Sequence, residues 1–349
     1  MDGEAVRAAF TEQAMWCGRL GSPFTSLICK LAGERLDHAT EVGRLLLGWP
    51  GDPTPMADNL PARFTGGLHY LVLRGEAPSL AGLYPPSPPP DPELLWQEIS
   101  AVLASTGPFF SEWLKSPPQT NEVGRSSALM SGLLVVAEAF DLPLRLLELG
   151  SSAGLNLMLD RYEHDLGGLG AGASGSPVRL APSWEGAPPP GAHVRIASRR
   201  GVDLRPVDLE ADGGKLVAFV WPDQIERRAR LEAAIALSQS DPPMVDRADA
   251  ADWLEVNLVE AQAAGSTCVV MHSIAFQYFP DATKSRISRA MEEAGKRASG
   301  DAPLAWLRFE QEEGEERPSL RLRLWPGGED RLLAWCHGHG ASVQWMLGS

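Results

Sequence analysis

"LRLLELGSSAGLNLMLDRY", residues 144–162, decides the fold. An apolar run suited to a buried strand closes on Glu148. It passes through the small residues Gly150, Ser151, Ser152, Ala153 and Gly154, then resumes with apolar residues at helical spacing. A strand that runs into a glycine turn and a helix is the opening unit of a parallel sheet covered by helices. In such sheets ligands lie beyond the carboxyl ends of the strands, where the strand order reverses. Glycines there let backbone approach a ligand closely, and the next helix presents N–H groups that lack partners.

Downstream of residue 144 the same alternation repeats. Strands are expected at 144–149, 193–198, 243–248, 267–273 and 303–309, with helices at about 153–164, 223–238, 251–263 and 281–298. The last two strands, "SLRLRLW" and "RLLAWCH", are separated by "PGGED" alone, a link short enough for an antiparallel hairpin. Residues 166–192, rich in Gly, Ala and Pro, read as an irregular insertion. "KLVAFVW" (215–221) fits a strand or a helix equally well.

Upstream, the first 140 residues read as helical. Val6, Phe10, Ala14 and Cys17 share one helix face. Ser22-Pro23 and Asp91-Pro92 each place a capping residue before a proline suited to the first helical turn. Asn121 stands where it could cap a third long helix, with Leu129, Leu133, Val136 and Phe140 along one face. "YPPSPPPDP" between the first two groups is a stiff connector. The expected organisation is a helical cap domain over 1–140 and an α/β domain over 141–349.

Composition narrows the partners. With 44% hydrophobic residues the 349-residue chain can bury a full core, and 31 basic against 45 acidic residues leave a net charge of −14. That balance argues against nucleic acid. The start of the chain lacks the apolar core of a signal peptide, and no stretch reads as a membrane span, so a cytoplasmic protein is expected. Cys17, Cys29, Cys268 and Cys336 lack zinc-like spacing and read as buried free thiols. His337 and His339 have no second ligand cluster, so no metal is expected. Oligomeric state is not legible.

Three nucleotide motifs compete for the turn. A P-loop needs Gly-Lys-Ser/Thr, whereas Gly154 is followed by Leu155 and Asn156. The dinucleotide pattern G-x-G-x-x-G meets Ser152 and Leu155 in register with Gly150. What stands in the chain is Glu148-x-Gly150-x-Ser152-x-Gly154, which resembles the first motif of Rossmann-like S-adenosylmethionine-dependent methyltransferases. Their cofactor is a sulfonium with an amino acid end, so a carboxylate beside the turn makes physical sense. A phosphate site would have little use for one.

That resemblance implies roles for further residues. Asp203, in "RRGVDLRPVDL", matches the acid that accepts the ribose hydroxyls, with Asp208 as the fallback. Asp249, in "DRADAADWL", matches the acid that accepts the adenine amino group. The spacing from turn to ribose acid is longer than the usual ~20 residues, which weakens Asp203 more than Glu148. The terminal hairpin also fits, since this class finishes its sheet with an antiparallel strand. Over nearly the whole chain, "QAMWCGRLGSPFTSLICKLAGERL", "NEVGRSSALM", "FVWPDQIERRARLEAAI" and "MHSIAFQYFP" look like a bacterial family known as a domain of unknown function, DUF2332, which brings no activity with it.

Methyl transfer is an in-line displacement that needs alignment, and a base only for a protonated nucleophile. "MHSIAFQYFP" closes the fourth strand, where this class places substrate-facing groups. His272 and Tyr278 are the expected catalytic residues, with Ser273 and Gln277 orienting substrate. Glu122 and Arg125, at the start of the helix feeding the first strand, are further substrate candidates. The expected function is methylation of a small molecule, with S-adenosylmethionine held by Glu148, Gly150, Ser152, Gly154, Asp203 and Asp249. Two alternatives stay open: a protein that binds an S-adenosyl ligand for another transfer or without catalysis, and a nicotinamide-dependent oxidoreductase.

Overall fold

The computed structural model describes residues 3–348. They divide into two compact units, one made of the chain up to Thr120 with Ala211–Ala229, the other of Asn121–Glu210 and the chain from Arg230 onward. Set beside the boundary expected at residue 140, the helix before the first strand falls in the second unit, and residues 211–229 fall in the first.

The first unit is helical: α1 (Glu4–Arg19), α2 (Pro23–Arg35), α3 (Glu41–Leu47), α4 (Leu60–Leu73), α5 (Pro78–Ala81), α6 (Pro92–Ser105) and α7 (Gly107–Trp113). Their apolar faces close on one core that includes Phe10, Ile28, Leu46, Phe64, Leu95 and Phe110. Asp91 caps α6 through the N–H groups of Glu93 and Leu94. Ser22 does not cap α2 in the same way. Its hydroxyl donates to Asp223, and the other oxygen of Asp223 accepts the Phe24 N–H at 2.9 Å. Gln224 donates to the Leu20 carbonyl at 3.0 Å, so "WPDQ" serves to tie down the start of α2. Asp223→Ala should lower stability by about 1–2 kcal/mol in urea denaturation, and Asp223→Asn by less, because the amide oxygen still accepts one donor.

The second unit is α/β. A 3-10 turn (Val123–Arg125) leads into α8 (Ser126–Phe140) and then β1 (Leu144–Leu149). There follow a 3-10 segment (Leu155–Arg161) and five strands: β2 (Glu163–Leu166), β3 (Leu169–Gly172), β4 (Arg179–Leu180), β5 (Ser183–Glu185) and β6 (Ile196–Asp203). Next along the chain come α9 (Leu209–Ala218) and α10 (Ile225–Ser238), whose residues 211–229 belong to the first unit, and the undecided segment 215–221 is the end of a helix and a turn. The unit finishes with β7 (Val245–Arg247), α11 (Ala250–Ala261), β8 (Thr267–Ser273), α12 (Asp281–Arg297), β9 (Leu304–Glu310), β10 (Ser319–Trp325), β11 (Asp330–Cys336) and β12 (Ser342–Trp345).

Nine strands form one sheet in the order β5-β12-β11-β10-β9-β8-β1-β6-β7. From β7 to β9 neighbours run parallel, and β9 to β12 form an antiparallel meander. The hairpin expected at the end of the chain is present as β10 and β11. The segment 166–192, expected to be irregular throughout, supplies three short strands: β3 and β4 flank β2 in a small sheet, and β5 pairs in parallel with β12.

α8 packs on one face of the sheet with Leu129, Leu133, Leu146, Met271 and Leu307. α11 and α12 cover the other with Leu254, Val270, Ile287, Met291 and Trp306. Val123–Phe140 has the length and hydropathy of a membrane span, yet 78% of it is buried, as befits a core helix with no polar face. All four cysteines are free and buried.

The helix expected over 153–164 is a 3-10 segment instead. Carbonyls that an α-helix would use are claimed by side chains: Tyr162 Oη donates to the Leu155 carbonyl at 2.6 Å and Arg199 to the Leu157 carbonyl at 2.9 Å. His164 Nε2 meets the Leu159 carbonyl at 2.7 Å. With its acceptors occupied the segment stays short and tight, and the chain passes directly into β2.

Candidate functional site

β1 lies where the strand order reverses: the chain leaves it for β6 and β7 on one side and returns through β8 and β9 on the other. Beyond its carboxyl end runs the turn 150–154, with Gly150 at φ 67°, Ser152 at φ 55° and Gly154 at φ 75°. The N–H groups of this turn are largely spoken for. Gly150 and Ser151 both donate to the Val202 carbonyl, Gly154 donates to Ser151, and Leu155 donates to Asn121 Oδ1 at 2.8 Å. Ser152 donates to Asp203 Oδ2 at 2.9 Å. Asn121 thus holds the turn rather than capping α8. A cradle for phosphate needs those donors free.

Gly150 is required by packing. A Cβ there would stand 2.6 Å from that of Ala275. Gly150→Ala should cost about 1–3 kcal/mol in thermal or urea unfolding, from left-handed strain and overpacking together. Gly168→Ala, also at positive φ (92°) but with open space around it, separates the strain from the clash.

Side-chain alternation along the strands sorts the candidates by face. Glu148 shares its face with Leu144 and Leu146 of the α8 core, and Ser273 shares its own with Met271. Around them sits a buried polar cluster. Asn156 donates to the Glu148 carboxyl and accepts the Ser126 hydroxyl at 2.8 Å. Its Nδ2 stands 3.5 Å from Ser273 Oγ. Arg125 donates to the carbonyls of Gly338 (2.9 Å) and Ser273 (3.0 Å), and Glu122 accepts the Gly124 N–H. The His337–Gly340 loop packs against this 3-10 turn, where a Cβ on Gly124 would stand 2.4 Å from the His339 carbonyl oxygen.

Glu148 is 2% exposed, and its Oε2 has no partner among the described residues; nor has Ser152 Oγ. Burial, reinforced by the Asp203 carboxylate, pushes the Glu148 carboxyl up to about 8, against the smaller pull of Arg125 and Asn156. At neutral pH it is a neutral acid.

Asp203 is the last residue of β6 and Asp249 follows the end of β7, so three carboxylates mark the ends of three adjacent parallel strands. Each Asp already has local bonds. Asp203 accepts the Ser152 and Arg205 N–H groups, and Asp249 caps α11 through Ala251 and Asp252. A cavity of ≈ 600 Å³ opens beside the turn, lined by Ala153, Val207, Asp208, Glu210, Pro243 and Val245 among others.

His272 is not with them. It shares the opposite face with Val270, Trp306 and Glu310. Nδ1 is 2.7 Å from Glu310 Oε1, and the Trp306 indole donates to Nε2 at 3.1 Å. An indole N–H can only donate, so Nε2 is the acceptor and Nδ1 carries the proton. With both nitrogens engaged and 1% exposure, His272 has no lone pair to offer a substrate, which corrects the base role expected of it. Tyr278 is 61% exposed and Gln277 half-buried, both on the segment after β8.

Glu310 was not among the expected site residues; it heads an acidic run, 310–318. Most of that run is exposed, but Glu310 closes β9 and accepts His272 together with the N–H groups of Ala275 (3.0 Å) and Phe276 (3.1 Å). Asn156 also went unread, since nothing local marks it. Three arginines on and beside β6 are paired: Arg199 with Asp160, Arg200 with Asp246 and Arg195 with Asp141.

Residues 7–345 match the model of a family described as "Uncharacterized protein conserved in bacteria (DUF2332)", and the chain belongs to that family. No curated protein and no solved structure matches it.

Proposed function

We propose that this DUF2332 chain binds S-adenosylmethionine through a Rossmann-like second unit and transfers the methyl group to a small molecule. The observation that carries the reading is the row of carboxylates, Glu148, Asp203 and Asp249, at the ends of β1, β6 and β7 beside the point where the strand order reverses. A cationic ligand with a ribose and an adenine has a use for each of them, whereas a pyrophosphate would be repelled. The occupied N–H groups of the turn also weigh against a nicotinamide dinucleotide, whose pyrophosphate needs free donors. The cavity of ≈ 600 Å³ beside Ala153 has the volume of a nucleoside-sized ligand, although none of the three carboxylates lines it.

With His272 engaged on the far face, the acceptor that fits is one whose nucleophile already has a lone pair at neutral pH. The same engagement favours a second reading, in which the unit binds an S-adenosyl ligand without transferring it.

Calorimetric titration with S-adenosylmethionine and S-adenosylhomocysteine tests the site. Asp249→Asn keeps the one oxygen that caps α11 while removing the charge, and Asp203→Asn keeps an acceptor for one of the two backbone N–H groups that Asp203 holds. Each should weaken binding about tenfold, the loss of a hydrogen bond to a charged acceptor. Unchanged affinity in both variants would remove these residues from the site, and no binding at millimolar ligand by folded protein would remove the reading.

A further inference from the structure

We propose that the site after β1 is loaded by proton exchange: the ammonium group of the ligand settles against Glu148, and the Glu148 proton leaves to solvent as it does so. The inference rests on the reading of this turn as an S-adenosyl site and adds the protonation state in which it waits.

Glu148 is buried at a strand end, receives one side-chain donor, from Asn156, and has no partner for Oε2 among the described residues. A buried carboxyl so sparsely solvated by protein cannot hold a charge unaided. The charged and titratable groups that act on it come from three directions. Arg125, on the 3-10 turn before α8, favours the ionised form, and Asp203, at the end of β6, opposes it. Tyr162, after the 3-10 segment, is a phenol whose hydroxyl is committed to the Leu155 carbonyl. The balance falls on the neutral side, with the carboxyl raised to about 8.

An incoming ammonium changes that balance. It brings the missing counter-charge, the O–H bond of Glu148 breaks, and an N–H donor takes the place of the lost proton. The site is neutral when empty and neutral again once the carboxylate pairs with the ammonium, so little net charge is newly buried. Ser152 Oγ, orphaned and buried in the same turn, offers a second acceptor, and Ser152 holds its positive φ where only a minority of serines do.

The test is calorimetry of the full chain with S-adenosylhomocysteine, whose amine is already protonated at about pH 6.5, in two buffers of different ionisation enthalpy. About one proton should be released per ligand bound, and affinity should rise close to tenfold per pH unit between about pH 6 and 8. Glu148→Gln should bind with neither proton release nor that slope. Binding to the unaltered protein without proton release, or equal release from the Gln variant, overturns the inference and leaves the S-adenosyl reading standing. Absence of binding overturns both.

Discussion

Glu148→Gln is expected to make the ligand-free protein more stable at pH 8, by about 2–4 kcal/mol, and to change little near pH 5. The folded-state value of about 8 lies above the ordinary 4.5. Between those limits the native protein keeps a proton that the unfolded chain has released. Stability of the unaltered protein therefore falls as pH rises through that window and levels off above about 8. The full gap corresponds to roughly 4–5 kcal/mol. Glutamine recovers part of it, because its oxygen still accepts from Asn156 while its amide must itself be buried. Urea denaturation at several pH values distinguishes the cases: a falling curve for the natural chain and a flat one for the variant are expected. Parallel curves would mean that Glu148 is not held neutral.

How much of this was legible in the sequence depends on what each element rests on. β8 lies where it was expected, over 267–273, because "TCVVMHS" is an apolar run bounded by turn residues. The position of Glu148 near a strand end was legible for the same reason; that of Asp203 rested on the resemblance, since the run read as strand stopped at 198 while β6 continues to 203. The nature of the segment after Gly154 was not. Its apolar spacing suits a helix, but Tyr162, His164 and Arg199 take its carbonyls, and those contacts exist only after β2 and β6 have formed. β5 and β12, of three and four residues, are too short to show a period. The face on which a strand-end side chain lies follows from pairing and packing, and the sheet separates His272 from Glu148. Glu310 was hidden by the acidic run that follows it, since composition describes the run and not its first residue.

Glu310→Ala is expected to cost about 3–5 kcal/mol, the largest loss among these variants, because it removes one acceptor and strands three donors. Those are His272 Nδ1–H and the N–H groups of Ala275 and Phe276, at the point where Ile274 takes a left-handed φ of 48°. A β-branched residue holds that conformation only where its surroundings impose it. Glu310→Gln, which keeps one oxygen for the donors, should recover most of the loss; if it is as damaging as Ala, the charge rather than the bonds is what matters. Burial alone would raise the Glu310 carboxyl, yet the hydrogen bond from His272 and the two backbone donors outweigh it and hold it below its ordinary value. Its contribution is accordingly present above about pH 4.5 and lost as acid protonates it, the reverse of Glu148. Both carboxyls are buried at the ends of strands in one sheet, and the difference between them is the supply of donors: three for Glu310, one for Glu148. Denaturation of the two Gln variants across pH should therefore diverge from the natural chain in opposite directions, Glu148→Gln gaining on the alkaline side and Glu310→Gln losing least on the acid side. Divergence of the same sign in both would show that donor count does not set the protonation of these strand ends.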